Sequence, residues 1–149
     1  MKIFLDTNAV IDALLPQRED FNTMVEILKI VKQNRIDVMT TGISLATAAY
    51  VISAQPDEFR TELKIFCKHV EIASVTDWIV DEALQMDHPD FEDAVQLVCA
   101  ATNCCDVIIT RDKHHFTDKY TTQDIFTPAE FLARAKEAAA RSRQEQGNI

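Results

Sequence analysis

Only two glycines, Gly42 and Gly147, occur in 149 residues. A phosphate-cradling loop needs several glycines in a short span, so Walker-type and dinucleotide-binding functions are excluded. Apolar residues make up 47% of the chain, yet no run reaches the roughly 18 residues that a membrane-crossing helix needs. The four cysteines (Cys67, Cys99, Cys104, Cys105) lack the spacing of a zinc site. Two of them are adjacent, a poor layout for a routine disulfide, so reduced thiols in a cytoplasmic protein are the simpler reading. Cations are scarce as well: 15 Lys and Arg against 24 Asp and Glu leave a net charge of −9. That argues against gripping nucleic acid through a broad basic surface. It does not exclude phosphodiester chemistry, because bound divalent ions invert the sign of an acidic pocket locally.

What the chain does have is carboxylates at the ends of apolar runs. Ile3-Phe4-Leu5 stops at Asp6, followed by Thr7 and Asn8. The N-terminus reaches this acid too soon to be a signal peptide. Val107-Ile108-Ile109 is a β-branched run expected to be a strand buried on both faces, and Thr110, Arg111 and Asp112 follow it. Between them, Asp90-Phe91-Glu92-Asp93-Ala94 opens a helix with a dense acidic start. In open parallel sheets, ligands collect beyond the carboxyl ends of the strands. Three acidic termini on separate elements are what an oxygen-rich site for Mg²⁺ or Mn²⁺ requires.

The remaining pattern alternates short strands with helices. Helices are expected over Asn8–Leu15, from Asp20 as cap, over Ser44–Ala54 (stopped by Gln55-Pro56), Asp57–Lys68 and Thr76–Met86, and from Pro128 onward. Strands are expected at Asp37–Thr40, Val70–Ala73 and Ile125–Phe126. This order implies one α/β domain over 1–149, a parallel sheet covered on both faces, with a frayed polar tail from about residue 142.

Taken together, Ile3–Asn8 with Asp12, Asp90–Ala94, and Asp106–Asp112 with Phe116 resemble the PIN domain, the nuclease fold of many VapC-type toxins of toxin–antitoxin pairs. The likeness covers nearly the whole chain. It implies a three-layer α/β/α sandwich with a mostly parallel central sheet, and endoribonuclease activity dependent on Mg²⁺ or Mn²⁺. It also implies an RNA substrate, a small antitoxin partner and a homodimer. Residue by residue, it makes Asp6, Asp93 and Asp112 the catalytic metal ligands. The further acid of the family, on the helix after the second strand, is missing: Thr47 stands about where it is expected.

Each residue has a plainer reading. Asp6 can be a helix N-cap, Asp90 and Asp93 a capping pair, and Asp112 a turn residue. Asp93 shares a face with apolar Leu97 and Ala100, which favours ligation over capping because a carboxylate there is costly unless paired or metal-bound. Glu92 is either a further ligand or a solvated charge. Thr7, Asn8, Thr47 and Thr110 are candidates to orient water or phosphate oxygens, and Arg111 to contact phosphate or simply lie on the surface. Asp12, six residues past Asp6, is read as structural, and His114 and His115 as solvated more often than functional. Two other functions stay open. One is a PIN-like fold with an incomplete acidic set that binds RNA or protein without cleaving. The other is an aspartyl phosphotransferase, disfavoured because Asn8 occupies the place of its second Asp.

Overall fold

Alternation within the strands decides how the layers assemble. In β1 (Lys2–Leu5), Ile3 and Leu5 point to one face and Phe4 to the other. The computed structural model, described for residues 1–52 and 56–147, continues that division across a five-stranded sheet of order β3-β2-β1-β4-β5, every pair parallel. The other strands are β2 (Asp37–Thr41), β3 (Glu71–Ala73), β4 (Val107–Ile109) and β5 (Asp124–Phe126).

Ile3, Leu5, Val38, Val107 and Ile109 pack beneath helices α1 (Thr7–Leu14), α2 (Phe21–Gln33), α3 (Gly42–Ile52), α4 (Pro56–Phe66) and α7 (Pro128–Gly147). On the opposite face, Phe4, Met39 and Ile108 pack against α5 (Asp77–Gln85) and α6 (Phe91–Thr102). The result is the three-layer α/β/α sandwich. Its central strands are buried on both sides, and that is why they read as continuous apolar runs.

The chain lays down β1, β2 and β3 in one direction, then returns to add β4 and β5 beside β1. The order therefore reverses between β1 and β4, and a crevice opens beyond their carboxyl ends. Asp6 follows β1 there and Thr110 follows β4. The Asp6 N–H bonds to the Ile109 carbonyl at 3.2 Å, which extends the pairing up to the carboxylate.

Several expected boundaries move. Helix α3 begins at Gly42, two residues before Ser44, and Ala54 and Gln55 lie outside the described residues. Pro56 opens α4 rather than ending α3, in the first-turn position where its missing N–H does no harm. Asp20 stands at the α2 N-cap without a capping bond, because its carboxylate is drawn to Arg111 at 3.4 Å. On α5, Ile79 and Ala83 are buried, while Trp78 is 57% exposed. Helix α7 runs to Gly147, so residues expected to fray are helical, though exposed. Cys99 and Cys105 are buried free thiols, whereas Cys104 is exposed in a left-handed turn (φ 53°).

Candidate metal centre

Asp6 is 2% exposed and does two jobs. Its Oδ1 caps α1 by accepting from the Ala9 N–H at 2.7 Å, and its Oδ2 accepts from the Thr110 hydroxyl at 2.6 Å. The same Thr110 oxygen accepts from the Asp112 N–H at 3.0 Å. One hydroxyl thus fixes the carboxylate after β1 and the backbone that carries the carboxylate after β4. Burial pushes the Asp6 carboxyl up to about 7, against the lowering effect of the Thr110 and Ala9 bonds, and the nearby Asp93 charge pushes the same way. Thr110→Val is expected to destabilise the protein by about 1–2 kcal/mol in denaturant unfolding at neutral pH, since it leaves a buried carboxylate oxygen and an N–H without partners.

Asp93 sits in the first turn of α6, which Asp90 caps by accepting the Asp93 N–H at 2.9 Å. The capping role thus falls to Asp90, leaving the Asp93 carboxylate free to face the crevice. There its Oδ2 lies 2.7 Å from His115 Nδ1, and the Asp112 Oδ2 lies 3.4 Å from the same nitrogen. Burial raises the Asp93 pKa, with the His115 bond opposing it. His115 is held above its ordinary value, first by that bond and then by the Asp112 charge.

A second network lies beside the first. Thr7 donates its only hydroxyl proton to Glu92 Oε1, so Ser44 must donate to Thr7 across 2.9 Å. Thr41 in turn donates to Ser44 at 3.2 Å. Gln96, fully buried, accepts the Thr7 N–H and donates to the Thr7 hydroxyl, both at 3.0 Å. A line of hydroxyls thus runs from the end of β2 to the half-buried Glu92, which is not the freely solvated charge of its plainer reading.

Three sequence expectations change here. Ser44, one helical turn before Thr47, makes the contact expected of α3, and among the described residues Thr47 has no hydrogen bond to the site. Asn8 accepts from Arg18 at 3.3 Å instead of facing the crevice. Arg111 is exposed, as its surface reading expects, and pairs with Asp12 (3.4 Å), Asp20 (3.4 Å) and Glu19 (3.9 Å). His115, weighed as solvated, stands among the carboxylates; its neighbour His114 is exposed.

Among the described residues, no lysine or arginine pairs with Asp6, Asp90, Glu92, Asp93 or Asp112. Asp90, Asp93 and His115 each offer a donor atom, and these atoms lie within 4.8 Å of one another. Oxygen-rich donors, an uncompensated charge and a buried carboxyl with a raised pKa fit a divalent cation. A separate cavity of about 750 Å³, lined by Leu14, Phe21, Val25, Leu28, Phe59 and Ile65 among others, touches none of these carboxylates.

The sequence model of the PIN domain family matches residues 2–114. The chain belongs to the PIN domain family. It is also similar to Ribonuclease VapC1 of Aquifex aeolicus (strain VF5), at 24% identity over 139 residues that span 89% of this chain and 94% of that protein. Among solved structures, this PIN domain resembles VapBC2 from Rickettsia felis bound to a DNA fragment from their promoter, with a TM-score of 0.68 at 14% identity, covering 85% of this chain and 98% of that one. VapBC-1 from nontypeable Haemophilus influenzae aligns with a TM-score of 0.61, also at 14% identity, over 87% of this chain and 99% of that one. At such identities the structural likeness carries the fold. No helix among the described residues is long and apolar enough to cross a membrane.

Proposed function

We propose that this PIN domain is a divalent-metal-dependent endoribonuclease and the toxin of a toxin–antitoxin pair. The observation that carries the reading is the gathering of Asp93 and Asp112 about one imidazole nitrogen, with the buried Asp6 tied to Asp112 through Thr110. Asp6, Asp93 and Asp112 would hold Mg²⁺ or Mn²⁺, with Glu92 as a further candidate ligand. When bound, the ion supplies the charge that draws a phosphodiester into an acidic pocket and the acidity that makes water a nucleophile at neutral pH.

The chain's own groups do the rest. Thr110 fixes the orientation of the Asp6 carboxylate at the strand end. Gln96 and Ser44 hold the Thr7 hydroxyl so that its proton points at Glu92 and the carboxylate remains in place. Arg111, committed to Asp12, supports the Thr110–Asp112 turn from behind rather than touching substrate.

The antitoxin and a second copy of the chain are the protein partners of this reading. Family membership supports it, as do the VapBC assemblies among the structural relatives. The apolar cavity beside α1, α2 and α4 offers a protein segment surface that the acidic crevice does not.

A second reading draws on α3, where Ser44 and Thr47 stand instead of a carboxylate. With fewer acids the fold would bind RNA or protein without cutting. Metal-stripped protein incubated with single-stranded RNA separates the two. Cleavage is expected with Mn²⁺ or Mg²⁺, none in chelator, and at least a tenfold drop in Asp93→Asn. Cleavage unaffected by chelator would overturn the metal-dependent mechanism. Bound Mn²⁺ with intact RNA would favour the non-cleaving module. A VapC-type toxin in a cytoplasmic toxin–antitoxin system is the cellular setting this proposal assigns.

A further inference from the structure

A metal-binding PIN site needs donors, and this chain offers a nitrogen where oxygens alone are expected. His115 lies in a tight turn after β4. Its N–H bonds to the Asp112 carbonyl at 3.3 Å, and the next residue, Phe116, is buried at 1% exposure in the core beneath α6. Its own carbonyl lies 2.7 Å from His88 Nε2.

The tautomer of His88 follows from its other side. The Asp90 N–H donates to His88 Nδ1 at 3.0 Å, so Nδ1 carries no proton and Nε2 carries the one given to His115. His88 also packs edge-on to the His115 ring and against Tyr120, with centroids 5.5 and 4.5 Å away. One neutral imidazole therefore links the backbone of Asp90 to that of His115, holding both in register with Asp93. His88 thus fixes the backbone that carries two of the donor side chains.

The spacing of the donor atoms agrees. Neighbouring ligands on an ion with bonds of about 2.1 Å stand about 3 Å apart. His115 Nδ1 is 2.7 Å from Asp93 Oδ2 and 3.4 Å from Asp112 Oδ2, and the donors of Asp90, Asp93 and His115 fall within 4.8 Å. The position on α3 that would add a further carboxylate holds only hydroxyls, Ser44 and Thr47.

We propose that His115 Nδ1 is itself a ligand of the divalent ion, alongside Asp93 and Asp90, making this a mixed nitrogen–oxygen centre that favours Mn²⁺ over Mg²⁺. The inference rests on the metal-dependent reading above. Its physical basis is that Mg²⁺ strongly prefers oxygen donors, whereas imidazole suits transition-metal ions. The ion displaces the proton that Nδ1 shares with Asp93, releasing it to solvent, and the neutral imidazole then adds affinity without adding to the repulsion among Asp6, Asp93 and Asp112.

Pulsed electron paramagnetic resonance on the Mn²⁺-loaded full chain tests this without reference to activity. Wild type is expected to show coupling between Mn²⁺ and a ¹⁴N nucleus. His115→Gln should lose it and bind Mn²⁺ at least about tenfold more weakly, with a smaller loss for Mg²⁺. His114→Gln, altering an exposed neighbour, should keep the coupling. Bound Mn²⁺ with no ¹⁴N coupling in wild type, or coupling that persists in His115→Gln, would overturn the proposal while leaving the nuclease reading intact. Wild type that binds no Mn²⁺ would defeat both. Should His115→Gln fail to fold, wild type carrying ¹⁵N-histidine decides: the strong ¹⁴N coupling must be replaced by ¹⁵N coupling, and ¹⁴N coupling that persists would exclude a histidine ligand.

Discussion

Asp6→Asn is expected to reduce metal-dependent RNA cleavage by about a hundredfold or more, because charge stabilisation by a bound ion is worth several kcal/mol and every 1.36 kcal/mol is tenfold. The same substitution should make the metal-free protein more stable at pH 8. Asn is as good an N-cap as Asp, so the Ala9 bond to Oδ1 survives. What disappears is the cost of burying a charge. The folded-state pKa of about 7 lies above the ordinary carboxylate value of 3.8, so the folded protein holds this proton more tightly than the unfolded chain does. The contribution of this group to stability is therefore greatest at low pH, falls as pH rises from about 4 through about 7, and levels off above. Between pH 5 and pH 8 the single group accounts for roughly 2–3 kcal/mol of that fall. Asp12 and Asp93, also raised, slope the same way and remain in the variant. The measurement is thus the gap between variant and wild type in denaturant unfolding under chelator, which should widen in the variant's favour from pH 5 to pH 8. Added Mn²⁺ should then narrow it by stabilising wild type alone. A gap that does not move with pH would mean that Asp6 carries no burial penalty.

This conflict between stability and charge is the part of the site that the sequence declares most openly. A β-branched run ending in an acid can be read directly, because a strand buried on both faces has no polar residue until it leaves the sheet. That logic gives β1, β4, Asp6 and the Thr110–Asp112 turn, and the acidic start of α6 follows from its caps. Ser44 was not legible in the same way. It lies one turn from Thr47, and choosing between them requires knowing that α3 starts at Gly42. The pairing of Arg111 with Asp12 was not legible either, because the two are 99 residues apart and nothing local marks it. His115 was undervalued for a similar reason: a loop histidine beside a lysine looks solvated until His88, 27 residues earlier, is found holding its carbonyl. Strand ends are encoded locally, whereas the long-range polar bonds that aim side chains at the crevice are set by the fold.

Arg18→Ala is expected to destabilise the protein by roughly 2–3 kcal/mol at pH 7, and Asp12→Leu by much less. Asp12 is fully buried in α1, and its Oδ1 takes both the Arg18 Nε at 2.8 Å and the Arg111 Nη1 at 3.4 Å, while its Oδ2 has no partner among the described residues. Burial keeps its pKa above the ordinary carboxylate value even with both guanidiniums opposing. Removing Arg18 strips away the closer cation and leaves a buried charge with one partner at longer range. The expected loss falls short of the 3–5 kcal/mol of a buried pair broken outright because Arg111 remains. Removing the acid is different in kind. Both arginine side chains are about one-third exposed and can turn to water, and leucine fills the vacated space. The two changes should therefore be strongly non-additive: Asp12→Leu introduced into Arg18→Ala should restore stability, since the second substitution deletes the charge that the first had stranded. Lowering the pH should lessen the Arg18→Ala defect as Asp12 takes up a proton. Asp12→Leu would still release Arg111 from behind the Thr110–Asp112 turn, so its cleavage rate should fall even where its stability does not. Unfolding free energies for the two single variants and the double variant, set beside their rates, test whether this buried carboxylate serves the fold or the site it stands behind.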